Sequence, residues 1–316
     1  MVEKFVGHAD PRILLQPPPG TDVALENSAC DAVGGGGGRR WLVTTVSLQI
    51  AAPLVDALRA TAGPVLVVTG AGVSAASGIS TFRGSEPDAV WRQHDVSMAT
   101  VAMFDQDPVS QLDWYLERFA TVDTAQPNAG HRALAELERE MTDRGARFLL
   151  VTQNIDTLHE QAGTRRLIKV HGTADRLRCG RAGCSLAAPS GSISRQEIDF
   201  SAFRRAPGAA TLPLCKRCGS PLRPHVLFFD EYYSDHDDYR FREVEDAAAS
   251  AALILFVGTS FAVGVTSLVL QAGTGRNLPM FSVDPAGARL APIVPIHQLS
   301  APAEALLPLV VEALRG

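Results

Sequence analysis

The chain has no surplus of positive charge: 29 Lys and Arg stand against 34 Asp and Glu, giving a formal net charge of −5 over 316 residues. A general nucleic-acid binder carries the opposite balance, so direct nucleic-acid binding is not expected. A cationic partner such as a lysine-rich peptide is compatible with the charge. No apolar run approaches the roughly 20 residues needed to cross a bilayer. The N-terminus also lacks the basic segment and continuous apolar stretch of a secretory signal. Cysteine is scarce, with five in all. Cys30 stands alone, while Cys179, Cys184, Cys215 and Cys218 form two close pairs. Such pairs in a large chain without a signal suggest a metal site before disulfides, and a reducing, cytoplasmic compartment.

What is present is an ordinary globular composition, 46% hydrophobic and 20% charged. Residues 1–45 read as a disordered extension: they hold Pro17-Pro18-Pro19-Gly20 and five consecutive glycines, a composition that does not offset the entropy of ordering the backbone. From 46 to 316 the pattern alternates strand and helix. Apolar runs at 65–69, 148–151, 253–257 and 279–283 each end in Gly, Thr, Asn, Ser or Asp, as strands buried on both faces of a parallel sheet do. Asn128 is placed to cap a helix that Gly145 stops, and 301–314 suits a closing helix. The expected fold class is α/β: a doubly wound, Rossmann-like parallel sheet with ligands at the carboxyl ends of its strands. Its core is expected from 46–79, 126–175 and 223–316. A helical insertion (80–125) and a turn-rich cysteine module (176–222) together form a smaller lobe.

The cysteines read Cys179-x4-Cys184, a 30-residue gap, then Cys215-x2-Cys218. Four thiolates complete tetrahedral zinc and leave no open position, so such a site is structural. A redox Cys-x-x-Cys pair would sit on a helix after a strand; here Pro213, Gly219 and Pro221 surround it. A nucleic-acid-binding zinc ribbon remains a further option, disfavoured by the acidic balance.

Gly70-Ala71-Gly72-Val73-Ser74-Ala75 satisfies G-x-G-x-x-G/A, a weak signal alone. A dehydrogenase would continue to a second strand bearing an acidic residue about 20 positions on. The chain instead runs Ser77-Gly78-Ile79-Ser80-Thr81-Phe82-Arg83-Gly84, and no strand leads to Glu86 or Asp88. Hydride transfer fails on that context.

Gly70 to Gly84 resembles the first motif of the sirtuins, GAG-x-S-x-x-SGI-x-x-FR. Thr152-Gln153-Asn154-Ile155-Asp156 resembles the second, and Val170-His171-Gly172 the third, which precedes the cysteine pairs. Arg223-Pro224-His225-Val226, Phe229 and Glu231 resemble the segment after the zinc module, and Gly258-Thr259-Ser260 the later nucleotide loop. The motifs keep the family's order over roughly 65–310.

This resemblance implies an NAD-consuming protein lysine deacylase that releases nicotinamide and O-acyl-ADP-ribose, with NAD as co-substrate and structural zinc. It implies His171 as the base for a ribose hydroxyl, with Asn154 also catalytic. Gly70, Ala71, Gly72, Ser74, Ile79, Phe82, Arg83, Gln153, Asn154 and Asp156 fall to the nicotinamide and phosphate side of NAD. Gly258, Thr259, Ser260, Asp284 and Ala303 fall to the adenosine side. Val226, Leu227 and Phe229 fall to the acyl-lysine protein or peptide substrate.

Trp114-Tyr115-Leu116-Glu117-Arg118 carries a Tyr-x-x-Arg pair, whose members share a helix face. A phenol and a guanidinium together can hold a carboxylate. In sirtuins resembling the succinyl- and malonyl-lysine group this pair is diagnostic, and His225 is typical of it. The plainer alternative is an apolar stripe of Leu112, Tyr115, Leu116 and Phe119, with Arg118 at the surface. The chain departs from the family at Ala76, Ser80, Thr157 and Asp230, the last expected to alter the peptide groove. Two other functions share the same features: a protein mono-ADP-ribosyltransferase and a non-catalytic NAD-binding sensor.

Overall fold

Val65–Thr69 is apolar up to its last residue because it has no face to water: all five residues are buried. It is β1, and the computed structural model, which describes residues 48–81, 96–287 and 294–316, places it inside a six-stranded sheet. The expected 1–45 extension, Phe82 and Arg83 lie outside the described residues.

In chain order, α1 (Leu48–Ala60) precedes β1, and α2 (Val101–Gln106), α3 (Pro108–Thr124) and α4 (Ala129–Asp143) follow it. Then come β2 (Phe148–Thr152), α5 (Leu158–Ala162), β3 (Leu167–Lys169), β4 (Gly172–Cys179), β5 (Ile193–Ser194), α6 (Ser201–Arg205) and β6 (Leu222–Val226). The chain closes with α7 (Phe241–Ser250), β7 (Leu253–Val257), α8 (Gly264–Gly275), β8 (Met280–Val283), β9 (His297–Leu299) and α9 (Ala303–Arg315).

The large sheet has the order β3-β2-β1-β7-β8-β9, and every pair is parallel. Successive strands run one way from β1 to β3 and the other way from β7 to β9. The switch point therefore lies between β1 and β7, where the loops after both strands diverge and ligands bind in such sheets. Val65, Val67 and Leu255 turn to one core with α1, α4 and α9; Leu66, Val68 and Phe256 turn to the other with α7 and α8. That two-sided burial is why these strands read as unbroken apolar runs.

Asn128 caps α4 as expected, its side chain accepting from the Gly130 and His131 amides. Gly145 sits just past the helix end with a left-handed φ of 81°, the backbone state that favours glycine. The closing helix starts at Ala303, two residues later than the sequence pattern indicates, because Pro302 holds an extended backbone at the cap. The short edge strand β9 has two exposed residues of three and carried no apolar signal.

A second sheet, β5-β4-β6, is antiparallel and runs from Gly172 to Val226. Its core merges with the helical insertion: Leu112, Trp114, Tyr115 and Phe119 of α3 pack with Leu177, Phe203, Leu222 and Phe228. At its base Glu231 accepts from Arg178 at 2.6 Å and from both terminal nitrogens of Arg223 at 2.8 Å. All three side chains are nearly buried. Breaking one arm of such a pair typically costs about 3–5 kcal/mol, since it strands a buried charge.

Candidate active site

The loop after β1 is built by backbone contact. The Gly70 amide donates to Val257 O at 3.0 Å and the Gly72 amide to Gly258 O at 2.9 Å. A Cβ on Gly72 would lie 2.8 Å from Gly258 Cα, and one on Gly258 would lie 2.4 Å from the Val73 nitrogen. Only glycine permits that approach. Residues Ala71–Ser77 then form a 3₁₀ turn. Asn128 pins it from outside, donating to Val73 O at 2.8 Å and to Ser77 Oγ at 3.0 Å.

Beneath the turn lies a buried polar cluster. Ser74 Oγ donates to Asp156 Oδ2 at 2.9 Å and accepts from Asn154 Nδ2 at 3.0 Å. Asn154 also donates to Gly70 O at 3.2 Å, and Asp156 Oδ1 accepts the Leu158 amide at 3.0 Å. These bonds bring the first and second motifs together at the ends of β1 and β2. His131 Nε2 stands 3.4 Å from Ser74 Oγ, and its ring packs edge-on against His159. His159 in turn meets Thr69 Oγ1 at 3.0 Å. His131, His159 and Thr69 carried no motif of their own and were missed from sequence. Thr69 offered one signal, a polar residue closing an apolar strand; His131 and His159 lie on α4 and α5.

His171 stands at the corner between β3 and β4. Its Nδ1 lies 2.8 Å from Gln153 O and its Nε2 3.2 Å from Tyr233 Oη. A carbonyl only accepts, so Nδ1 carries the hydrogen and Nε2 presents its lone pair. Burial lowers the ring's pKa to about 4, with the Gln153 carbonyl opposing, so the imidazole is neutral at pH 7. Gln153 Nε2 donates to Thr69 O and Thr259 Oγ1. One residue thus ties His171 to the strand ends that carry both glycine loops.

On the far side of the switch point, the backbone amides of Thr259 and Ser260 find no acceptor among the described residues. Two adjacent free donors beside a glycine loop suit an anionic or ribosyl ligand. Ser260 is exposed there. Asp284, at the end of β8, uses Oδ1 on the Ala286 amide at 2.9 Å. Ala303 is buried with Val73 in one core and backs onto Gly130. Ile79 is half-buried against the small-lobe core. The donor set therefore fits a dinucleotide lying across β1 and β7.

The four cysteine sulfurs, all free thiols, lie within 4.8 Å of one another. Cys179 and Cys218 are 3.4 Å apart and Cys184 and Cys215 3.7 Å apart. Tetrahedral zinc with bonds of about 2.3 Å requires sulfurs about 3.8 Å apart, so the residues fit zinc with no position left over.

On α3, Tyr115 is buried against Phe228, rings 5.8 Å apart. The Arg118 guanidinium lies 3.9 Å over the Trp114 ring, and its Nε has no hydrogen-bond partner among the described residues. Tyr115 and Arg118 lie one turn apart on α3. Val226 and Leu227 are buried, and the Leu227 amide donates to His171 O at 3.0 Å. Phe229 is half-buried between the two lobes' cores. Asp230 does something the sequence did not indicate: its carboxylate accepts the Val101 and Ala102 amides at 2.7 and 3.1 Å and so caps α2. His225 is buried, its ring packed against His236 and Tyr239.

Comparison with known proteins agrees with this geometry. A Thermus thermophilus protein named NAD-dependent protein deacylase is 35% identical over 230 residues, covering 72% of this chain and 82% of that one. The dog protein named NAD-dependent protein deacylase sirtuin-5, mitochondrial, is 33% identical over 236 residues, 71% of this chain and 73% of that one. A crystal structure of a Sir2 homolog–NAD complex superposes with a TM-score of 0.68 at 33% identity, covering 84% of this chain and 93% of that one. Residues 70–265 match the pattern of the Sir2 family, and the chain belongs to that family.

Proposed function

We propose that the protein is an NAD-dependent protein lysine deacylase that releases nicotinamide and O-acyl-ADP-ribose. The observation that carries this reading is Gln153, whose carbonyl accepts from His171 while its amide reaches Thr69 and Thr259. A neutral base and the two glycine loops thereby belong to one cleft.

NAD, as co-substrate, supplies the sugar carbon that exchanges nicotinamide for the acyl oxygen. The chain's residues do the rest. The loops at Gly70–Gly72 and Gly258–Ser260 would hold the two halves of the dinucleotide, with Phe82 and Arg83 flanking the reactive sugar, Asp284 serving the adenosine ribose and Ala303 the adenine. Asn154 and Asp156, fixed by Ser74, would orient the carboxamide and exclude disordered water. His171 Nε2 would take the proton of a ribose hydroxyl, which then attacks the acyl carbon. Val226, Leu227 and Phe229 would line the peptide side. The Cys179, Cys184, Cys215 and Cys218 thiolates would bind zinc that staples the small lobe, in a reducing, cytoplasmic compartment.

The finer reading is a preference for acidic acyl groups such as succinyl or malonyl. Tyr115 and Arg118 support it, because the half-buried guanidinium stacks on Trp114 and its Nε lacks an acceptor among the described residues. The test is purified protein with NAD and acetyl-, succinyl- and longer acyl-lysine peptides, following nicotinamide and the acylated product. O-acyl-ADP-ribose supports the deacylase. ADP-ribosylated protein would identify a transferase instead, and nucleotide binding without nicotinamide release a sensor.

A further inference from the structure

We propose that Tyr233 is a positioning residue for His171, its phenol holding Nε2 in the tautomer that accepts a proton and yielding that nitrogen to the ribose hydroxyl. The inference rests on the deacylase reading above, and deepens it for one residue that no motif singles out.

Tyr233 lies in the stretch after β6 and is buried. Its ring is held from two sides. It stacks on Phe241 with centroids 4.3 Å apart and planes 9° apart, and on His171 at 5.8 Å and 21°. Its hydroxyl oxygen accepts the Val265 amide at 3.3 Å, in the first turn of α8. With that amide on its acceptor side, the phenol has its O–H left for Nε2 at 3.2 Å.

The bonds run in one direction. The Val265 amide donates to the phenol, the phenol to Nε2, and Nδ1–H to the Gln153 carbonyl. Each bond polarises the next, so the series favours the neutral imidazole with its hydrogen on Nδ1. A protonated ring would turn Nε2 into a donor and leave the buried phenol O–H without its acceptor. Tyr233 therefore opposes premature protonation of the base. The 3.2 Å contact is longer than most hydroxyl hydrogen bonds, so an incoming hydroxyl can replace it at modest cost.

Burial lowers the His171 titration and the Gln153 carbonyl opposes it. Lys169, two residues earlier, is engaged by Asp156 O, Thr173 and Glu160. Burial raises the Tyr233 pKa, so the phenol keeps its proton at neutral pH.

Tyr233→Phe keeps both ring stacks and removes only the hydroxyl. Three measurements judge it on the full chain. The ¹⁵N shifts of His171 should show the Nδ1–H tautomer in both proteins, because the Gln153 carbonyl holds that hydrogen, while the Nε2 resonance should move in the variant as it loses the phenol O–H. The titration of that ring should move up by about one pH unit or more in the variant, and the acid limb of the deacylation rate should follow it. Nicotinamide exchange, which precedes the proton transfer, should hold within about twofold while product formation falls roughly tenfold. An unchanged Nε2 resonance and titration overturn the proposal. So does an equal loss of exchange and product with a lowered melting temperature, which leaves Tyr233 a packing role only. Because the nitrogen shifts need no turnover, a native protein that fails to deacylate would sink the functional reading while this one is still decided.

Discussion

Ser74 and Asp156 lie 82 residues apart in the chain and meet through a 2.9 Å hydrogen bond, the serine hydroxyl donating to Oδ2. The same hydroxyl accepts from Asn154 Nδ2, so one oxygen aligns both side chains of the second motif. Ser74→Ala should leave a buried donor and a buried acceptor short of partners, each worth about 1–3 kcal/mol. The expected result is a roughly 5- to 100-fold fall in kcat/KM for nicotinamide release with the fold retained. Unchanged kinetics would remove Ser74 from the site.

Arg118→Met should discriminate between acyl groups. Methionine keeps contact with Trp114 and loses the cation. Hydrogen bonds to charged groups contribute about 1.5–3 kcal/mol, so succinyl-lysine turnover should fall roughly 10- to 100-fold while acetyl-lysine turnover changes little. Equal losses on the two peptides would return Arg118 to a surface role.

Zinc removal should act on the small lobe as a whole, since Cys179 and Cys215 share a core with α3 and α6. Metal analysis should find one zinc per chain. Chelation, or Cys215→Ser, should lower the melting temperature by at least ~10 °C. A chelated protein that melts like the native one would contradict a structural site.

Acid should destabilise the protein before carboxylates protonate in bulk. Burial lowers the His131 and His171 pKa values from the ordinary 6.5 to about 4, and the His225 value to about 2, where His236 and nearby arginines add to the effect. His159 is lowered as well, by burial first and then by His131 and Lys169. The unfolded chain therefore binds more protons than the native one in this range. The stability contributed is full above about pH 6.5 and is lost as pH falls toward 4 and below. Urea midpoints at pH 7.5 and 5 should differ, the lower at pH 5; identical midpoints would show these rings to be protonated in the fold.

Asp230→Ala should loosen α2. Thr100 keeps its own cap on Met103, but the Val101 and Ala102 amides lose their acceptor, so amide exchange should accelerate at 101–106 with little change in β1 or β7. The carboxylate carries a tie between the peptide-side segment and the insertion, so exchange confined elsewhere would refute the assignment.

Strand identity was legible because Val65–Val68 and Leu253–Val257 are apolar and buried on both faces, with the polar Thr69 only at the end of the first. The zinc ligands and the glycine loops were legible for a related reason: thiolate spacing and backbone approach each restrict a position to one residue type. The partners of those residues were not. Tyr233, His131 and His159 act through geometry that exists only after distant strand ends converge, and Tyr, His and Thr are common in cores. Asp230 was visible only as a departure. Its role needed the amides of Val101 and Ala102, 129 and 128 residues away, to be in place.

Gly72 and Gly258 press main chain on main chain, with no room for a methyl group at either. The seam beneath the nucleotide consequently offers mutation nothing to adjust short of dismantling it. On the proposed reading, variation would fall instead on α3 and the rim around Tyr115 and Arg118, where one new side chain would retune which acyl group is accepted without disturbing how the sugar is held. A protein built this way can change its diet while keeping its chemistry.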